Sequence, residues 1–237
     1  MKLSQEEIII LKKALDTCKI VNIESAVISE NKIRGAAITK DVAIISPLSI
    51  TLNDLKLGIG RINELKKRLD LYGNDANIEL TENDKNDITQ VNISAGKSKI
   101  QFRCTAERQI RYPKSNDDIP FAKISFSKEE ILQLSKATKT LGAASVVIHS
   151  SRKGDIKVEC AEESTNDKFA LELENTAEFT EDETSFIFTY KAANLIAALD
   201  SCNKEDQINL IIGERGSITL PINGFTIMIM PQINGDE

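Results

Sequence analysis

The sequence predicts an α+β fold made of two similar domains, each with two helices packed on antiparallel sheets. Three observations predict it. First, SQEEIIILKKALDT from Ser4 returns as SKEEILQLSKATKT from Ser127, identical at eight of fourteen positions, at an offset of 123 in a chain of 237 residues. An offset this long exceeds the periods of solenoids, roughly 20–50 residues, and points to duplication of a whole domain. Second, each copy opens a stretch that reads helix, strands, helix, strands; a parallel βαβ fold would need a helix after nearly every strand. Third, 41 % of the chain is apolar, enough for a core in each of two domains of ordinary size.

The first helix is expected at residues 4–19. Ser4 and Glu7 make a capping box, in which each side chain satisfies a free backbone N–H of the helix start. Ile8, Leu11, Ala14, Leu15 and Cys18 recur at helical spacing, with Lys12, Lys13, Asp16 and Lys19 on the opposite face. SAVIS, KIRGAAI and DVAIIS follow as β-branched strands separated by turns. A second helix is expected from Asn53 to Leu71, weakened by Gly58 and Gly60 at about 1 kcal/mol each relative to Ala. ANIEL, QVNIS and KIQFRC read as strands. Residues 111–123, RYPKSNDDIPFAK, combine two prolines with Ser, Asn and Asp and read as a connector between domains at 1–110 and 124–237. The second half repeats the plan: a helix from Ser127 to Leu141, strands in SVVIHS, DIKVEC, KFALELE and SFIFT, a helix from Lys191 to Cys202, then INLII, SITL and GFTIMIM.

Composition argues against several functions. No run of about 18 apolar residues exists to span a membrane, and the N-terminus carries a charged helix pattern in place of a signal peptide. Cys18, Cys104, Cys160 and Cys202 have no metal-ligand spacing and read as reduced thiols in the cytoplasm. The Gly-Lys-Ser of AGKSK lacks the earlier glycine of a phosphate loop, whose place is taken by Val91. GIGRIN at 58–63 lacks the third glycine of a dinucleotide fingerprint. His149, the single histidine, lies in a strand with no matched nucleophile pattern. No catalytic residue, metal site or cofactor is expected, so the chain does not read as an enzyme.

The net charge of −6 taken alone argues against nucleic acid, whose binders usually carry a basic excess. Its distribution matters more. Over the four expected helices the charges sum to +3, which leaves −9 for everything else. One reading is ordinary helix electrostatics, with acids near the N-terminus and bases later. The other is a basic helical face on an acidic body, able to touch phosphates without reading bases.

LKKALDTCK at 11–19, the opening MKLS, DVAI at 41–44 and the closing IMPQINGDE together resemble DNA polymerase sliding clamps. The likeness is to the proliferating-cell-nuclear-antigen type, and most of all to the clamps of large tailed phages. The resemblance implies a DNA-clamp fold: a closed ring of head-to-tail subunits with helices lining the hole and sheets outside. Four helices per chain, packed about 10 Å apart, give a trimer a hole of about 28 Å, and a dimer only about 15 Å, against a duplex of about 20 Å. The implied function is that of a DNA polymerase processivity factor, a homotrimer in the cytoplasm (the host's, if phage-encoded). Its implied partners are double-stranded DNA, a DNA polymerase, an ATP-dependent clamp loader and itself. The alternative is a monomeric polymerase-accessory subunit that never closes a ring.

By carry-over, Lys12, Lys13, Lys19, Lys136 and Lys139 contact DNA, joined by Lys56, Arg61 and Lys204. A partner peptide is expected on Val42, Ile44, Ile119, Phe121, Met228, Met230 and Pro231; for Val42 and Ile44 an ordinary core role is an equal alternative. KIQFRC and KFALELE are implied as the edge strands that join subunits.

Overall fold

The computed structural model describes every residue except 74–75, 163, 166, 181–184, 203–204 and 233–237. The chain divides into two compact units, Met1–Asn116 with Asn223–Ile227, and Asp117–Ile222 with Met228–Glu237. It is an α+β protein of four helices on antiparallel sheets.

The first unit runs α1 (Gln5–Ile20), β1 (Ser25–Ser29), β2 (Lys32–Ala36), β3 (Val42–Pro47), β4 (Leu57–Ile59), α2 (Ile62–Leu71), β5 (Asn77–Glu82), β6 (Ile88–Ala95) and β7 (Ser98–Arg103). One sheet has the order β5-β6-β7. In the other, β3-β2-β1-β4 is extended past β3 by a late strand whose residues up to Ile227 belong to this unit. The second unit runs β8 (Pro120–Ser127), α3 (Lys128–Leu141), β9 (Ser145–Ser150), β10 (Ile156–Ala161), β11 (Lys168–Glu172), β12 (Glu178–Phe179), β13 (Phe186–Lys191), α4 (Ala192–Ser201), β14 (Gln207–Gly213) and β15 (Ile218–Ile222). Its sheets have the orders β11-β10-β9-β13 and β12-β8-β14-β15. The late strand is β16 (Phe225–Ile229).

Duplication extends to single hydrogen bonds. Ser4 and Ser127 both cap their helices in complete capping boxes with Glu7 and Glu130. The same two carboxylates reach further. Glu7 Oε1 accepts from the backbone N–H of Thr51 at 2.9 Å, and Glu130 Oε1 from that of Glu174 at 2.8 Å. Thr51 and Glu174 are themselves separated by the repeat offset of 123. Each carboxylate thus starts a helix and clips down a segment far along the chain. The cores are aliphatic, with Leu11, Leu15, Ile28, Ile33, Ile124 and Leu134 fully buried around the large rings of Phe102, Phe126 and Tyr190.

The second helix is shorter than the sequence predicts. Residues 57–59 form β4 on the edge of β1, and the helix begins only at Ile62. The reason is close packing: a Cβ on Gly58 would lie 1.9 Å from the carbonyl oxygen of Thr105, whose N–H bonds Gly58 O at 2.9 Å. The glycine is there to let two backbones approach, a role that helix periodicity hides. The expected connector also contains structure, since β8 begins at Pro120. The short strands β4 and β12 are likewise absent from the sequence reading.

Burial pushes the Glu7 carboxyl up, but the backbone N–H groups of Ser4 and Thr51 outweigh it and hold it below the ordinary carboxylate value. A depressed carboxyl contributes stability above its unfolded value, and loses it as pH falls through the folded one. Glu7→Ala is therefore expected to cost about 1–2 kcal/mol at pH 7. Urea titrations of the two proteins should show that difference shrinking as pH is lowered through the carboxylate range; a difference that stays constant with pH would contradict the assignment.

Candidate nucleic-acid interface

In the first unit α1 packs against α2, and in the second α3 packs against α4. Each pair is joined by a lysine–aspartate bridge, and the two bridges are mirror images in charge. Asp16 on α1 and Lys139 on α3 occupy equivalent places in the repeat. Lys66 of α2 lies between two carboxylates, 2.9 Å from Asp16 and 2.6 Å from Asp70. Lys139 of α3 reaches Asp200 of α4 directly at 3.0 Å, with Ser135 bonding the same carboxylate at 3.0 Å. Counted from the helix starts Ile62 and Ala192, Asp200 is the counterpart of Asp70, and the counterpart of Lys66 is the buried Ile196. Where the first helix carries an acid, the second must supply a cation between two acids. Where the first carries the cation, an aliphatic residue serves.

These bridges consume some of the expected DNA contacts. Lys139 is half of one. Lys12 is partly covered and donates to the carbonyl of Gly73, just past the C-terminus of α2, where a cation is favoured. Lys13, Lys19 and Lys136 are exposed and make no ion pair among the described residues. Lys19 shares a shallow groove with Asn63, Lys66, Lys67 and Asp70. Lys13 and Lys136 each stand one turn beyond an exposed aliphatic residue, Ile9 at 54 % and Leu132 at 51 %.

Lys56 and Arg61 are not on a helix as the sequence predicts. Lys56 precedes β4 and binds Glu107 at 2.7 Å; that hydrogen bond holds the ammonium above its ordinary value and the carboxyl below its own. Glu107 also accepts from Tyr112, itself crossed by Arg34 at 5.7 Å; burial first, then that hydrogen bond, push the phenol up to about 12. Arg61 immediately precedes α2 and lies 5.4 Å from the Phe102 ring centroid, with Arg68 5.3 Å from it. Lys204 lies outside the described residues. With Lys56, Arg61 and Lys191 outside the helices, the helical charge is +1 and not +3. Two further exposed helical cations are Lys67 on α2, 3.6 Å from Glu64, and Lys128, which replaces Gln5 in the repeat; the run Lys66-Lys67-Arg68 is the sequence signal for the first.

The expected peptide-binding residues separate by burial. Val42 and Ile44 are 0 % exposed and form core in the first unit, and Met228 is buried as well. In the second unit Ile119 is 60 % exposed, while Phe121, Met230 and Pro231 are partly exposed. Phe121 sits edge-on to Phe179 and Phe186, with centroids at 5.6 and 6.1 Å. Asp118 ties the connector to the turn after β14, accepting from Arg215 N at 2.9 Å and Ser217 N at 3.0 Å. A side chain on Gly213 would collide with it, its Cβ 2.2 Å from the carboxylate.

Burial pushes the Cys18 and Cys104 thiols up to about 12, so neither is a reactive thiolate at neutral pH. Among the described residues no group of His, Cys, Asp and Glu is arranged to hold a metal, and no helix is long and apolar enough to cross a membrane.

No protein-family model and no curated protein sequence matches the chain. Among solved structures, it is similar to proliferating cellular nuclear antigen from Entamoeba histolytica, with a TM-score of 0.65 at 14 % identity, covering 95 % of this chain and 96 % of that one. The chain therefore has the fold of that protein over 95 % of its length.

The bridge argument is open to a direct exchange. Lys66→Ile alone leaves the half-exposed Asp16 and Asp70 without their shared cation and is expected to cost about 0.5–1 kcal/mol. Adding Asp16→Lys copies the arrangement of the second half and should recover most of the loss in a urea denaturation midpoint. A double variant no more stable than Lys66→Ile would refute the equivalence.

Proposed function

We propose that this chain is a DNA polymerase processivity factor: a homotrimeric ring that encircles duplex DNA and tethers a replicative polymerase to it. The observation that carries the reading is a fold shared with a proliferating cellular nuclear antigen over 95 % of this chain and 96 % of that one. Strand order supports self-association. In the first unit, β3 is covered by β16, the third strand after α4. Their counterparts by chain order are β11 and β7, and among the described residues each ends its sheet uncovered. Pairing β7 of one copy with β11 of the next would satisfy both edges and build a head-to-tail ring.

In this reading the DNA-facing cations are Lys13, Lys19 and Lys136, with Lys67 and Lys128 added, and with Lys12, Lys56, Arg61 and Lys139 serving mainly to hold structure. Few exposed cations per subunit suit a sliding role. Many direct phosphate pairs would bind with an affinity that falls steeply with salt, whereas a ring held by topology needs only to be centred. The partner peptide of the polymerase would dock on the accessible residues Ile119, Phe121, Met230 and Pro231. The protein performs no chemistry in this reading, and ring opening falls to a separate ATP-dependent loader.

The test is polymerase stimulation on primed DNA with a loader present. Stimulation is expected on a closed circle and is expected to vanish when the circle is cut, because a ring slides off an end. Lys13→Glu with Lys136→Glu should lower DNA retention severalfold with no change in solution mass. Equal stimulation on cut and closed DNA, from a species of one chain, would favour a monomeric accessory subunit instead.

A further inference from the structure

Resting on that reading, we infer that the joint between copies is an electrostatic one, a basic edge seated on an acidic edge, and that salt opens it. The protein as a whole is acidic, yet six cations and the single acid Glu107 lie between Lys97 and Lys114. On β7 itself Lys99 and Arg103 are exposed, Lys97 is exposed in the turn before it, and the strand carries no acid. Between Glu159 and Glu178 there are seven acids and one base, Lys168. Around β11, Asp167, Glu172 and Glu174 are exposed and have no ion-pair partner among the described residues. The nearby Lys157 is tied to Glu159 at 2.6 Å.

Three other sheet edges, those of β5, β4 and β13, are dealt with inside the chain. Leu3 N bonds Ile78 O and Leu80 N bonds Met1 O along β5, Thr105 N bonds Gly58 O on β4, and Gln232 N bonds Thr189 O on β13. Bare edges are commonly guarded by lysines that repel other strands, and β7 alone would fit that description. The β11 edge does not: the strand itself carries Lys168 against Glu172, but the segment from Glu159 to Glu178 around it is strongly acidic, and two edges of opposite sign attract each other. The same pattern rejects β7 on β7, which sets Lys99 and Arg103 of two copies side by side. Opposite edges therefore favour head-to-tail joints, which close into rings, over two-fold dimers.

The experiment is solution mass by sedimentation at rising salt for four full-length proteins. These are the wild type, Lys99→Glu with Arg103→Glu, Glu172→Lys with Glu174→Lys, and the fourfold exchange, which keeps the net charge. The wild type is expected to be multimeric at low salt and to fall toward one chain at high salt. Each twofold variant should dissociate about tenfold or more readily, because like charges across a joint are strongly disfavoured. The fourfold exchange should reassemble, which also shows that the substituted chain folds. Multimers indifferent to salt and to every exchange would overturn the electrostatic joint while leaving the ring intact. A single chain at all salt concentrations would defeat the ring, and this inference with it. If the Lys99→Glu, Arg103→Glu protein keeps its mass but loses DNA retention, the basic edge serves nucleic acid and the inference is wrong.

Discussion

One carboxylate in each half joins what would otherwise be separate pieces. Glu7 and Glu130 each accept from the N–H of the helix N-cap and from an N–H 44 residues onward. A helix start leaves four backbone N–H groups unsatisfied, and a long loop leaves its own. A single ionised side chain meets one need of each kind with charge-assisted bonds. It also sets where the helix begins relative to the strands that follow. Glu130 is 5 % exposed, so in the second half this joint lies inside the core.

Around that joint the halves diverged by compensation. Asp16 and Lys139 hold equivalent positions with opposite charge, and the partner helices changed with them, Lys66 against Ile196 and Asp70 against Asp200. Burying a cation at 14 % side-chain exposure without partners would be costly. The first half therefore surrounds Lys66 with two acids, and the second removes the cation altogether. The helices are consequently less basic than their lysine count suggests, and further exposed charge lies on the basic β7 and in the acidic surroundings of β11.

The sequence by itself determined the duplication, the fold class, the Ser4–Glu7 capping box and most strands, because apolar periodicity and turn residues are local signals. It also marked Lys13, Lys19 and Lys136 as solvent-facing cations, since each lies off the apolar stripe of its helix. Only the tertiary structure decided that Gly58 belongs to a strand pressed against Thr105, that Lys12, Lys66 and Lys139 are engaged across helices, and that Val42 and Ile44 are core. Those outcomes depend on which backbone or side chain arrives from far along the chain. Spacing along the sequence records what a residue can do, and its long-range neighbours settle which of those roles remains open to it.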